Sequence, residues 1–184
     1  MVERTCDEAH SAGSLGLEAI YRAEAGRVAV WIQRLDPAGD TEDLLHEVFL
    51  VVKRRLAEFR GDAALRTWLH AITTRVVLSE RRKRRVRRFL LGRETPVLAE
   101  RVAPKTPEDE LRARELGRLL YELLERLSER DRTLLILHEL EGLAGAELAT
   151  VAGVSEKAVH VALHRARTRL RAAYVARHAE RERP

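Results

Sequence analysis

Residues 64–88 read ALRTWLHAITTRVVLSERRKRRVRR. Apolar residues recur at Leu65, Trp68, Leu69, Ile72 and Val76, the i, i+3, i+4, i+7 spacing that sets them on one face of a helix. The pattern then runs into 81–88, where seven of eight residues are basic. The spacing predicts a helix bolted to a core at one end and densely cationic at the other. A charge block of this kind is either a solvated run or a surface for a polyanion. Because it grows out of an anchored helix, presentation to nucleic acid is the favoured expectation.

Upstream lies a second unusual stretch, 42–58. Leu44, Leu45, Val48, Phe49, Val51, Val52 and Leu56 cover more than half of a helical circumference, beside Asp43, Glu47, Lys53 and Arg54. Two readings stand: a helix buried on two sides, or one with a second apolar face for a partner protein. Asp40 or Thr41 is placed to cap it, since a short side-chain oxygen accepts the orphan amides of a first turn. Asp36-Pro37-Ala38-Gly39 reads as the preceding turn, and an earlier helix is expected over 15–35. Phe59-Arg60-Gly61-Asp62 reads as the turn that leads into the basic-tipped helix. Trp68 is expected in the core, with Phe59 beside it. Alternatively, exposed groups around the turn (Arg60, Asp62, Arg66, His70) cradle an unstacked base, which needs flat or polar groups for the base and cations for its backbone. His46 and His70 are expected at the surface.

Composition agrees with helices. The chain has 184 residues, 45% of them apolar and 34% charged, with five prolines and a formal net charge of +5. Length permits one domain or two small ones. The local concentration of positive charge points to nucleic acid more than to a membrane. No apolar run approaches the ~18 residues of a spanning helix, and the first residues carry no apolar signal region. A cytoplasmic location without membrane insertion is the expectation. One cysteine, Cys6, excludes an internal disulfide framework and a multi-cysteine zinc site.

Residues 91–107 carry three prolines and no apolar period, which reads as a linker. Beyond it, a stripe through Leu111, Leu116, Leu119, Leu120, Leu123, Leu124 and Leu127 predicts a helix over 108–127. Ser128 with Asp131 forms an S-x-x-D capping signal, a helix over 133–141 ends at Gly142, and a short helix spans 146–152. Gly153-Val154-Ser155 then turns into a long last helix from Glu156 to about His178. Helix, short glycine-containing turn and helix is the helix-turn-helix plan, although a hairpin without that function remains open. Val159, Leu163, Ala166 and Leu170 are expected inward. Lys157, His160, His164, Arg165, Arg167, Arg169 and Arg171 are expected outward. Base reading would fall to the start of that helix. His160 and His164 sit at i, i+4 but lack the adjacent glutamate and third ligand of a zinc site, so no metal is expected. No phosphate loop or nucleophile motif occurs, so no cofactor and no catalysis are expected. The fold expected is all-α, two small helical domains (15–90 and 108–178) joined by a flexible linker (91–107), the second with a helix-turn-helix.

Two segments carry a resemblance. DTEDLLHEVFLVVKRRLAEFRGDAALRTWLHAITTRVVLSERRKRR, at 40–85, resembles region two of the extracytoplasmic-function (ECF) sigma factors of bacterial RNA polymerase. LSERDRTLLILHELEGLAGAELATVAGVSEKAVHVALHRARTRLRAAY, at 127–174, resembles their region four. The order and the linker match as well. The resemblance implies a subunit that binds core RNA polymerase, directs it to promoters and helps open the duplex. It implies docking on the clamp of the largest subunit through Asp43, Leu44, Glu47, Val48, Phe49, Val52 and Lys53. It implies capture of minus-ten bases by Arg60, Asp62, Arg66, His70, Thr74 and Arg75, with phosphate contacts from Arg81, Arg82, Arg84 and Arg85. Region four would touch the polymerase flap and read the minus-thirty-five element with Ser155, Glu156, Lys157, His160, Val161, His164 and Arg165. An anti-sigma factor is an implied partner.

Two positions depart from the family pattern. Arg75 stands where an asparagine is common, so a group with only donors replaces one with donor and acceptor. Ala158-Val159-His160-Val161-Ala162-Leu163 stands where T-V-K-S-R-L is common, with fewer cations and hydroxyls. A stand-alone helix-turn-helix regulator, and a sigma-like adaptor with altered promoter reading, are the alternative readings.

Overall fold

The computed structural model describes residues 16–61, 63–91 and 107–181. The first 15 residues, Asp62 and 92–106 of the expected linker lie outside the described residues. The chain divides into two units, one within 1–95 and one within 96–184. Among the described residues every regular element is helical.

The first unit is three helices, each packed on the other two: α1 (Leu17–Leu35), α2 (Thr41–Arg55) and α3 (Leu65–Leu91). A 3-10 turn, Leu56–Glu58, finishes α2, so the helix expected as one piece over 42–58 ends in a tighter turn. Asp40 is the N-cap; its Oδ1 accepts from the amides of Glu42 and Asp43 at 3.0 and 3.1 Å. The core joins Ile20, Val28, Trp31, Ile32 and Leu35 of α1 to Leu44, Val48, Phe49 and Val52 of α2 and Leu69, Ile72 and Val77 of α3. Burying each such side chain contributes about 1.5–3 kcal/mol.

Against two neighbours at once, α3 buries a wider arc than its apolar period announces. Thr67, His70, Ala71, Thr73 and Thr74 are inside with the aliphatics, whereas Trp68 is only half-buried, its ring 5.0 Å from that of Phe59. The Thr73 hydroxyl donates to the Leu69 carbonyl at 2.8 Å, which satisfies it without another helix. The expectation of a surface His70 is wrong. The ring is buried and stacks on Trp31, with centroids 3.5 Å apart and planes at 25°. An imidazole has enough flat apolar area to fill the α1–α3 interface when an indole faces it.

The basic run is helical to Leu91, and part of it turns inward. Asp36, buried where α1 ends, accepts from both Arg81 and Arg84. Arg81 also donates to the Leu35 carbonyl and Arg84 to the Ala38 carbonyl, each at 3.0 Å. One carboxylate and two carbonyls at the C-terminal end of α1 thus hold two guanidinium groups, where the helix dipole already favours cations. Gly39 lets this turn close: a Cβ there would lie 2.6 Å from Asp36 Oδ2 and 2.8 Å from Leu44 Cδ1.

The second unit holds α4 (Pro107–Glu125), α5 (Glu129–Leu135), a π-helical turn (Ile136–Leu140), α6 (Gly145–Ala152) and α7 (Glu156–Arg181). Pro107 opens α4, where its missing amide costs nothing. The Ser128 hydroxyl caps α5 by accepting from Asp131 N at 3.2 Å. The helix that Ser128 is expected to cap starts at Glu129, and its end widens into the π turn before Gly142, at φ 71°. Asp131 does not complete the box: its buried carboxylate accepts from Arg169 of α7. Ala144 offers α6 no side-chain cap; its own amide instead donates to Glu147 Oε2 at 2.9 Å. Gly153, at φ 65°, takes the left-handed cap that starts the turn, and the Ser155 hydroxyl caps α7 through Ala158 N at 3.3 Å. Val159, Leu163 and Ala166 are buried as expected, with Leu170 half-buried.

Candidate nucleic-acid interface

Three surfaces carry the residues singled out by sequence, and burial sorts them. On α2, Leu44, Val48, Phe49 and Val52 belong to the unit's own core; Phe49 meets the Tyr21 ring edge-on, with centroids 4.7 Å apart. The surplus apolar residues of this helix are mostly consumed at home, because α1 and α3 both pack against it. The face left to solvent holds Asp43, Glu47 and Lys53 together with His46, Leu50 and Arg54. Leu50 is 39% exposed, an apolar centre within a charged ring. Sequence reasoning passed over Leu50, yet 43, 47, 50 and 54 share one helical face by spacing alone.

On α3 and the turn before it, Arg60, Arg66, Arg75, Arg82 and Arg85 are exposed. Gly61 holds φ 76° in that turn, a conformation that needs glycine. His70 and Thr74 face the core and leave no surface for a base edge. Arg81 and Arg84 are engaged with Asp36, so two of the four arginines expected on phosphates brace the helix. The exposed cations from Arg66 to Arg85 lie along a helix of about 40 Å, held straight at one end by the core and braced near the other by Asp36.

On α7, Ser155, Glu156, Lys157, His160, Val161, His164 and Arg165 are all exposed, so the whole face expected to read DNA is open. Glu156 Oε1 lies 3.7 Å from His160 Nε2. Arg167 and Arg169, expected as outward cations, are tied to Glu139 and Asp131 across the unit and fix α7 on the π turn and on α5. A cleft of about 480 Å³ opens between the start of α5 and α7. Ala158, Val161 and Ala162 line it together with Arg130, Asp131, Lys157, Arg165 and Arg169. Arg130 was invisible as a site residue in sequence, since 27 positions separate it from Lys157. No cluster of metal-ligating side chains occurs among the described residues, and no described helix is long and apolar enough to cross a membrane.

Comparison with known proteins places both units. Residues 20–87 match the family model for sigma-70 region 2, and residues 117–170 match that for sigma-70 region 4. The RNA polymerase sigma factor NccH of Alcaligenes xylosoxydans xylosoxydans is 34% identical over 138 residues, 74% of each chain. The ECF RNA polymerase sigma-E factor of Escherichia coli K12 is 31% identical over 156 residues, 77% of each chain. Among solved structures, the sigma factor RpoE of Bartonella quintana, crystallised with the anti-sigma factor NepR, aligns with a TM-score of 0.65. It is 20% identical, over 85% of this chain and 95% of that one. CnrH, in complex with the cytosolic domain of CnrY, aligns at 0.60 and 23% identity over 91% of this chain and 95% of that one. These two share the fold; the sequence relatives and the two region matches, in the same order as the two helical units, show that the chain belongs to the ECF sigma factors of the sigma-70 family.

Proposed function

We propose that this chain is a promoter-specificity subunit that binds core RNA polymerase in the cytoplasm, directs it to promoters and assists strand opening. The reading rests above all on the ordered match of regions two and four to two separate helical units. The region-two-like domain is assigned to 15–90, the linker to 91–107 and the region-four-like domain to 108–178.

In this reading the outward face of α2 docks on the clamp of the largest subunit, with Asp43, Glu47 and Lys53 making polar contacts around Leu50. Leu44, Val48, Phe49 and Val52 support that face from beneath. Arg60, Asp62, Arg66 and Arg75 meet the separated minus-ten strand, and Arg82 and Arg85 its phosphates. The exposed face of α7, Ser155 through Arg165, enters the major groove of the upstream element, while region four also touches the flap. An anti-sigma factor is the partner that covers these surfaces when the subunit is idle.

Strand opening needs no nucleotide hydrolysis. Unstacking a base costs a few kcal/mol, and each captured base returns about 1–3 kcal/mol through stacking and pocket contacts. Capture therefore roughly offsets its own cost. The deciding experiment is run-off transcription with purified chain and core polymerase on a randomised promoter library. Enrichment of a defined two-element promoter supports the reading. Core binding without enrichment favours the adaptor, and duplex binding without core binding favours the stand-alone regulator.

A further inference from the structure

On α7 two hydroxyl positions and one cation position of the family pattern hold Ala158, Val161 and Ala162, and a second cation position holds His160. Ala158, Val161 and Ala162 line the cleft between α5 and α7, and Val161 is 45% exposed. A valine on an open polar face gains nothing from solvent and adds no helix propensity. Arg130 from α5 and Lys157 and Arg165 from α7 line the same cleft, with Arg169 paired there to Asp131. Ser128 and Ser155, the two N-caps, also line it. Methyl groups set among cations match one part of duplex DNA in particular. In the major groove, thymine alone presents a methyl group, and phosphates flank it on both sides.

From this geometry we infer that the upstream element is read chiefly through thymine C5-methyl groups packed against Val161 and its alanine neighbours. Arg130, Lys157 and Arg165 hold the strand's phosphates in register. Asp131 supports this arrangement by fixing Arg169 at the edge of the cleft. Lys157, His160 and His164 contribute affinity and polar contacts, but the methyl contacts set the base preference. This inference rests on the reading of α7 as the major-groove helix.

The test uses the assembled holoenzyme and the promoter recovered from the random library. Thymines of its upstream element are replaced one at a time by deoxyuridine, which removes the methyl and leaves every pairing and hydrogen-bonding group. At one or more positions the swap weakens binding by about fourfold, the worth of roughly one buried methyl group. Val161→Ala, checked for unchanged helicity and core affinity, weakens binding to thymine DNA and removes the deoxyuridine penalty at one position. Binding indifferent to deoxyuridine at every upstream position overturns the methyl readout, and so does a Val161→Ala loss that is equal on thymine and deoxyuridine DNA. Failure to assemble with core polymerase shows at the preceding purification step and overturns the broader reading instead.

Discussion

Asp36 shows how one buried carboxylate shapes a cationic surface it does not belong to. It is 1% exposed, while its partners Arg81 and Arg84 are 14% and 29% exposed. Removing one member of a buried charge group leaves the others desolvated and unpaired, at a cost of about 3–5 kcal/mol. Asp36→Ala should therefore lower the unfolding free energy of the first unit by about 3 kcal/mol. Both tryptophans, Trp31 and Trp68, lie in that unit, so urea unfolding followed by indole fluorescence reports it directly. Arg82→Ala, at an exposed position of the same helix, should change it by less than about 0.5 kcal/mol. His70 makes the complementary case. Buried against Trp31, it is a packing residue, and His70→Ala should destabilise the unit by about 2–5 kcal/mol through the cavity it leaves. Promoter affinity, measured at a temperature where the variant is folded, should match that of the parent. A variant of full stability with lost promoter binding would instead make His70 a DNA contact.

Among the elements, α2 teaches the most about testing a docking face. A charge introduced at Val48 or Phe49 reports on the core, since these side chains are 0% and 7% exposed, and lost polymerase binding would follow from unfolding alone. Leu50→Asp and Lys53→Glu are the informative changes. Each should reduce co-purification with core polymerase at least tenfold while shifting the urea midpoint little. The reason α2 misleads is also the measure of what sequence could tell. Apolar periodicity and capping residues announced most of the helices, their order and the helix-turn-helix, because these are local signals within a few turns of chain. Ser128 and Ser155 cap at the expected places, and of Asp40 and Thr41 it is Asp40 that caps α2. Which side of α2 goes inward depends on α1 and α3 arriving together, and no local period encodes that. The burial of His70 needs Trp31, 39 residues upstream, and the inward turn of Arg81 and Arg84 needs Asp36, more than 40 residues away. The open face of α7 was legible because nothing distant covers it.

At the scale of the molecule, a net charge of +5 is modest, and what matters is where the cations stand. Counterion release counts phosphates neutralised, at about 0.7 per phosphate on single strands and 0.9 on duplex in the slope of log affinity against log salt. The arginine run therefore divides into two classes that a salt titration separates. Arg81 and Arg84 already have a carboxylate and two backbone carbonyls as partners, and moving them to phosphates would strip Asp36 of its counter-charges. Arg82 and Arg85 face outward. Arg82→Ala with Arg85→Ala should flatten the slope of holoenzyme–promoter binding by about 1.4–1.8. Arg81→Ala with Arg84→Ala should do the reverse, leaving the slope within error and lowering stability, since the pair acts on fold and not on phosphate. Equal slope losses from the two pairs would mean that the Asp36 clamp opens when promoter DNA arrives, making the brace at the end of α1 a switch rather than a fixed strut.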